Sequence, residues 1–346
     1  MFYIHQINCI SPQQTFEAAA IEILHLPVNG KLNVIEPAYE HIPKNMLRRM
    51  GKTVRMTVAA ALAVIKESAL INGIIIGSGS AGMEDSIIFL KQIVEFNEGM
   101  LTPGHFVQST ANAPAAQLSL LSSNKGYNIT HVHRGLAFEM AALDAAMLLK
   151  ENGGYRYLLA AVDEIATYNY QLDYLNKWYR KEEVTGSDFY DGNIPGAIAG
   201  EAAVVLLVDN EKKDAIAKLS GIATLHSNDL TIVQKQLCVF LKEHNAENID
   251  LLISGENGDA RFNSFYSGVE NLLKADVDIA RFKHMCGEYP SATSFAVWLA
   301  CKIFTGTALP AHAIKKQSFP KDYNTVLIYN CYQGIQHSFM LLSKAG

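Results

Sequence analysis

Gly73-Ile74-Ile75-Ile76-Gly77 narrows the fold more than any other stretch of the chain. Three consecutive β-branched residues between glycines leave no polar face, so the strand they predict must be covered on both sides. Apolar strands of the same kind are expected over Tyr157 to Val162 and after Gly200-Glu201, through Ala202 to Val208. A helix expected from Leu136 to Lys150 carries Ala137, Ala141, Ala142, Ala145 and Ala146 at close spacing. Small residues let a helix approach its neighbours, which suits a central, buried position. Strands alternating with helices point to stacked α/β layers.

The rest of the chain repeats that order. Phe2 to Ile10 predicts a strand, with a turn at Ser11-Pro12. Met46 to Asn72 predicts a helix with a cationic side of Arg48, Arg49, Lys52 and Arg55. Helices are expected over Glu84 to Asn97 and Ala111 to Leu121, and Tyr168 to Asp191 reads as an aromatic, charged surface excursion. A second unit follows. Its strands are expected at Lys218 to Thr224, Ile249 to Ser254, Val326 to Asn330 and Phe339 to Leu342. Its helices are expected at Leu230 to His244, Phe262 to Lys274 and Ala292 to Phe304.

Composition excludes several function classes. A net charge of -5 gives no electrostatic case for nucleic acid. Five scattered cysteines (Cys9, Cys238, Cys286, Cys301, Cys331) form no CxxC pair, which argues for a reducing compartment and against zinc or a disulfide framework. His131 and His133 alternate on a predicted strand but lack a third ligand at suitable local spacing, so no metal site is expected. No apolar run approaches the ~18 residues of a membrane span, and Met1-Phe2-Tyr3-Ile4-His5 lacks the basic start of a signal peptide. A cytoplasmic location and no cofactor are expected. Gly77-Ser78-Gly79-Ser80-Ala81-Gly82 lacks the Lys-Ser/Thr of a phosphate-binding P-loop.

Several separated stretches, in order, resemble the β-ketoacyl synthases of the thiolase-like condensing-enzyme superfamily. Lys125-Gly126-Tyr127-Asn128 resembles the family's KGPN-like turn, and Arg48-Arg49-Met50 its RRM-type helix. Gly77-Ser78-Gly79 is similar to its GTG-like turn and Gly200-Glu201-Ala202 to its GEGA segment. Lys283 through Gly287 resembles its KxxxGH segment, and Asn330 begins what would be its glycine-rich C-terminal loop. The resemblance implies a five-layer α/β/α/β/α thiolase-like fold with two pseudo-symmetric halves, residues 1–212 and 213–346.

The departures fall on the chemistry. Counted without gaps from the Asn128 turn, Gly135 stands in the nucleophilic cysteine's slot, and glycine cannot form an acyl-enzyme. Gly255 and Glu288 fall where the family has its two histidines. A carboxylate beside a developing enolate is the reverse of oxyanion stabilisation. The C-terminal loop carries Gln333, Ile335 and Gln336 in place of glycines, and only Lys283 and Asn330 remain of that machinery.

The resemblance therefore implies a catalytically degenerate subunit like the chain length factors of type II polyketide, aryl-polyene or fatty-acid-like systems. Such a subunit forms a heterodimer with an active ketosynthase, shapes the shared acyl tunnel, and works with an acyl carrier protein. No catalytic residue is expected. Phe106, Ala113, Met140, Lys283, Asn330 and Gln333 are expected to line the tunnel or the vestigial pocket, with Ala115 and Ala116 leaving room. Asn128, His131, His133 and Arg134 are expected at the dimer interface. Glu288 is expected to pair with Arg134 or Lys283 in the vacated pocket. Glu256, Asp259 and Arg261 read as an exposed loop. Two other readings stay open: an acyl-thioester hydrolase or decarboxylase using Glu288 or His337, and a homodimeric carrier-protein or acyl-binding module.

Overall fold

In the computed structural model, the residues described are 1–18, 20–21, 23–65, 70–180, 182, 184, 189–190, 193–246, 248–319 and 322–346. The first half runs β1 (Phe2–Ile10), β2 (Lys31–Leu32), α1 (Lys44–Leu47), α2 (Lys52–Ile65) and β3 (Gly73–Gly77). It continues through α3 (Met83–Glu95), α4 (Pro103–Gln108), α5 (Ala113–Ser122), β4 (Tyr127–His131), α6 (Ala137–Glu151), β5 (Tyr157–Asp163) and α7 (Thr167–Leu175). It closes with β6 (Ala199–Gly200) and β7 (Ala202–Asp209). The second half runs β8 (Ala217–His226), α8 (Leu230–Glu243), β9 (Leu251–Ser254), α9 (Asn263–Glu270), β10 (Asp278–Arg281), α10 (Lys283–Cys286) and α11 (Thr293–Phe304). It ends with β11 (Ile314–Lys316), β12 (Thr325–Tyr332) and β13 (Gln336–Lys344).

The two halves share one topology. The first orders its strands β4-β3-β5-β7-β1 and the second β10-β9-β12-β13-β8, with β11 added at the far edge. In each, three strands run parallel and the next two turn antiparallel. Short pairing of Phe2, Tyr3 and Ile4 with Leu219, Lys218 and Ala217 joins β1 to β8, so the hydrogen-bonded order is continuous across both halves.

Alternation along each strand sets the layers. In β5, Leu158, Ala160 and Val162 cluster with α2 and α5, while Tyr157, Leu159 and Ala161 cluster with α6. In β13, Phe339 and Leu341 cluster with α8 and α9, while Met340 and Leu342 turn to the middle. The middle layer holds α6 and α11, buried between both sets of strands. The order α2/α5, strands, α6/α11, strands, α8/α9 gives the five layers expected. Ala141, Ala142 and Ala145 of α6 have no exposed surface, which is what lets strands close on it from either side.

Three local expectations change, and one strand was not expected. The helix expected from Met46 to Asn72 is broken: α1 ends at Leu47, a turn buries Met50, and α2 begins at Lys52. Its stretch at 66–69 lies outside the described residues, as do 181, 183, 185–188 and 191 of the 168–191 excursion. That excursion opens with a helix, α7. The helix expected from Phe262 to Lys274 stops at Glu270. Strand β10, with only Ile279 and Ala280 between Asp278 and Arg281, is too short to show periodicity.

Candidate functional site

The tip of α6 is where the two halves meet in chemistry. A single 3-10 turn, Arg134–Leu136, leads from β4 into the helix, with Arg134 in the left-handed region at φ 43°. Gly135 is buried, and its amide donates to Gln336 Oε1 at 3.0 Å. A Cβ built on Gly135 would lie 2.3 Å from Cβ and Cγ of Tyr332 and 2.6 Å from its Cδ1. The Tyr332 ring thus stands where a side chain at position 135 would go. It is held there by the β12–β13 hairpin, whose turn places Gln333 at φ 53° and Gly334 at φ 71°. Two successive left-handed residues make the tight turn that an antiparallel pair favours. Ile335 closes it by donating its amide to Tyr332 O at 3.2 Å.

Gly255 is also packed out. A Cβ there would crowd Oδ1 of Asn330, a buried atom with no hydrogen-bond partner among the described residues. Glu288 meets Lys283 rather than Arg134: Lys283 Nζ lies 2.5 Å from its Oε1, and Asn257 Nδ2 donates to its Oε2 at 2.7 Å. Lys283 has no exposed surface. Its ammonium and the Glu288 carboxylate neutralise each other inside the fold, tying α10 to the loop after β9. Of the loop expected to be exposed, Arg261 is exposed but the two carboxylates are not. Glu256 and Asp259 are 8% and 1% exposed, and each is held by cations: Arg281 and Lys315 on Glu256, Arg261 on Asp259.

His337 belongs to another layer. Its Nδ1 lies 3.0 Å from the Tyr329 hydroxyl, its Nε2 lies 2.9 Å from Ser227 O, and its ring packs on Phe265 of α9. Burial pulls its pKa down to about 4, so it is a neutral core imidazole. Cys331 and Cys286 are not poised either. Burial pushes Cys331 up to about 12 and raises Cys286 further still.

The remaining sequence-derived residues are dispersed. Phe106 is 61% exposed on α4 and packs against Phe89. Ala113 begins α5, in the outer layer with α2, and Met140 is half-buried on α6. Gln333 sits at the hairpin turn. None of these four lines the cleft that Arg134 and Tyr332 border. Asn128 donates to Ala115 O at 3.0 Å and accepts from Asn112 Nδ2 at 2.9 Å on β4, the free edge of the first half. His131 Nε2 lies 2.9 Å from Asp144 Oδ2, while His133 and Arg134 are exposed beyond the strand's end. Among the described residues no three histidine, cysteine, aspartate or glutamate side chains converge as a metal site.

Three buried carboxylates escaped the sequence reading or were placed in it only as scaffold. Asp163, at the end of β5, accepts from the amides of Gly79, Ser80 and Ser291 and from the hydroxyls of Ser78, Ser80 and Ser291, at 2.6–3.1 Å. It locks the serine-glycine turn after β3 to the entry of α11. Glu201 accepts from Val34 N and Ile165 N, each at 2.9 Å, and from Lys52. Glu164 lines a cleft of about 310 Å³ beside the α6 tip. Its signal was the Asp-Glu pair that ends an apolar strand, since polar residues at such ends are where open sheets present groups to a cleft.

These arrangements can be set beside known proteins. A family model described as the β-ketoacyl synthase N-terminal domain matches residues 27–178. No curated protein matches the chain. Among solved structures, a β-ketoacyl synthase from Burkholderia phymatum STM815 superposes with a TM-score of 0.77 at 15% identity, over 99% of each chain. The chain has the thiolase-like ketosynthase fold. The ishigamide ketosynthase/chain length factor matches at a TM-score of 0.76 and 14% identity, over 100% of this chain and 99% of that one. The ketosynthase ApeO in complex with its chain length factor ApeC, from Xenorhabdus doucetiae, matches at 0.75 and 13%, over 99% and 98%. No helix among the described residues is long and apolar enough to cross a membrane.

Proposed function

We propose that this chain is a non-catalytic ketosynthase homologue, built of halves 1–212 and 213–346, that pairs with an active ketosynthase as a chain-length-factor-like subunit. One observation carries the reading: the Tyr332 ring fills the space a side chain at position 135 would need. In the ungapped correspondence that position is the nucleophile's, and an acyl-enzyme cannot form on a glycine amide unit. Two further features support it. Asn330 crowds Gly255, and Lys283 is neutralised by Glu288 rather than left to act. Both helper positions are then scaffold.

The partner-facing surface is expected at the β4 edge. Asn128, His131, His133 and Arg134 lie along it, and Tyr127 and Val132 are exposed apolar residues of the same stretch. An unpaired strand edge with apolar side chains is a liability in a solitary protein and an asset in a permanent complex. In such a complex the chain acts sterically, by shaping the acyl tunnel that the partner and its carrier protein use, in polyketide, aryl-polyene or fatty-acid-like synthesis.

The test is reconstitution. The chain is co-expressed with a ketosynthase that has an intact Cys-His-His set, and elongation of a malonyl carrier protein is followed by mass spectrometry. A stable heterodimer whose product length shifts when Met140 is enlarged to Trp is expected. Elongation or thioester hydrolysis by the chain alone would overturn the reading.

A further inference from the structure

The cleft beside the α6 tip is lined by a carboxyl group, Glu164, that takes no part in the contacts described above. Glu164 is 9% exposed, so about nine-tenths buried, and it lines the cleft with no hydrogen-bond or ion-pair partner for its carboxyl among the described residues. An ionised carboxylate in that setting is costly unless paired. Its neighbours from every packed element are already committed. Lys52 of α2 is taken by Glu201, Asp85 of α3 by His105 at 2.7 Å, and Glu84 of α3 by the amide and hydroxyl of Thr167. Burial, opposed by Lys52 and reinforced by Glu201, Asp85 and Glu84, pushes Glu164 up to about 8.

The cleft's other charges do not supply the missing cation. Asp173 of α7 also faces it; burial raises its pKa, and the Arg134 guanidinium opposes that shift. Two carboxyls against one guanidinium leave the lining acidic. The lining is also aromatic. Tyr170 and Tyr179 stack at 5.6 Å, and the Lys31 ammonium already lies 4.0 Å from the Tyr170 ring centre. Lys31 already occupies that ring face, so a ligand's ammonium is left to Glu164 and only its carbon chain to the tyrosines.

We propose that this cleft binds a small organic cation, its ammonium seated on Glu164 and its carbon chain against the tyrosine wall. Chemistry and size agree. About 310 Å³ suits a small molecule, and the lining mixes a few polar groups with apolar ones such as Met83 and Leu172. The site goes beyond the partner-subunit reading and does not depend on it, since the purified chain alone carries every group involved.

The pH dependence follows from Glu164. An ammonium binds its ionised form, so binding strengthens as pH rises through about 8 and fails only where the amine itself loses its proton, near 10. Isothermal titration of the purified chain with n-hexylamine, hexan-1-ol and hexanoate at pH 7 and pH 9 tests this. Hexylamine should bind about tenfold tighter at pH 9 than at pH 7, and better than either analogue. Glu164→Gln should weaken hexylamine at least tenfold at pH 9 and remove the pH dependence. Leu172→Trp, at a 59% exposed position on the rim, should block the cleft without disturbing the core, and serves where Glu164→Gln fails to fold. Equal binding of hexan-1-ol, tighter binding of hexanoate, a pH-independent affinity, or no hexylamine binding would each overturn the proposal.

Discussion

At the scale of single residues, the decisive pair is Gly135 and Tyr332. A cysteine at 135 must push the Tyr332 ring from a slot bounded by the α6 tip and the hairpin. Overpacking of that kind costs roughly 1–3 kcal/mol. Gly135→Cys is therefore expected to lower the denaturation midpoint and to give no chain elongation, by urea melts and by an acyl-transfer assay. Elongation by that variant would contradict the account. The Lys283–Glu288 pair makes a second prediction. Glu288→Ala strands a fully buried ammonium and should cost about 3–5 kcal/mol, whereas a paired Lys283→Met, Glu288→Leu change should cost far less. Equal losses in the single and double variants would show that the pair is not coupled. Gly135, Gly255 and Glu288 could be singled out in the sequence because each is one residue in a register counted from a short motif. What fills their space was not. Tyr332 is near Gly135 only through the β12–β13 hairpin, 197 positions on by simple subtraction, and no local pattern carries that distance.

At the scale of elements, β13 and β4 behave differently. His337 on β13 is held neutral by burial down to about pH 4, against an ordinary value near 6.5. The unfolded chain takes up a proton that the fold refuses. Stability is thus complete above pH 6.5 and is lost as pH falls toward 4, on the order of 3 kcal/mol at the low end. Urea midpoints between pH 7 and pH 4.5 should fall, and less steeply in His337→Phe. An unchanged slope in that variant would remove His337 from the explanation. Strands β1, β3, β5 and β7 were readable because each is long or bounded by glycine. Strands β10 and β11, next to and at the sheet edge, are only four and three residues long and are set by pairing with β9 and with each other rather than by their own sequence. The buried loop after β9 was misread for a related reason. Its charged residues look solvated until Arg281 and Lys315 arrive from elsewhere in the fold.

At the scale of the whole molecule, the fold sets a five-layer core between two terminal strands, β4 and β11. If β4 carries the partner, a charge there should matter only in the complex. Val132 is 57% exposed, so Val132→Glu should leave the urea midpoint of the isolated chain within about 0.5 kcal/mol of the original while abolishing heterodimer formation in native mass spectrometry. A heterodimer that survives the substitution would move the interface elsewhere. The central claim is that the α6 tip offers no nucleophile to an acyl group. Intact-protein mass spectrometry after incubating the heterodimer with an acyl carrier protein tests it most directly. The account expects the acyl mass on the ketosynthase alone. A stoichiometric acyl adduct on this chain would contradict it.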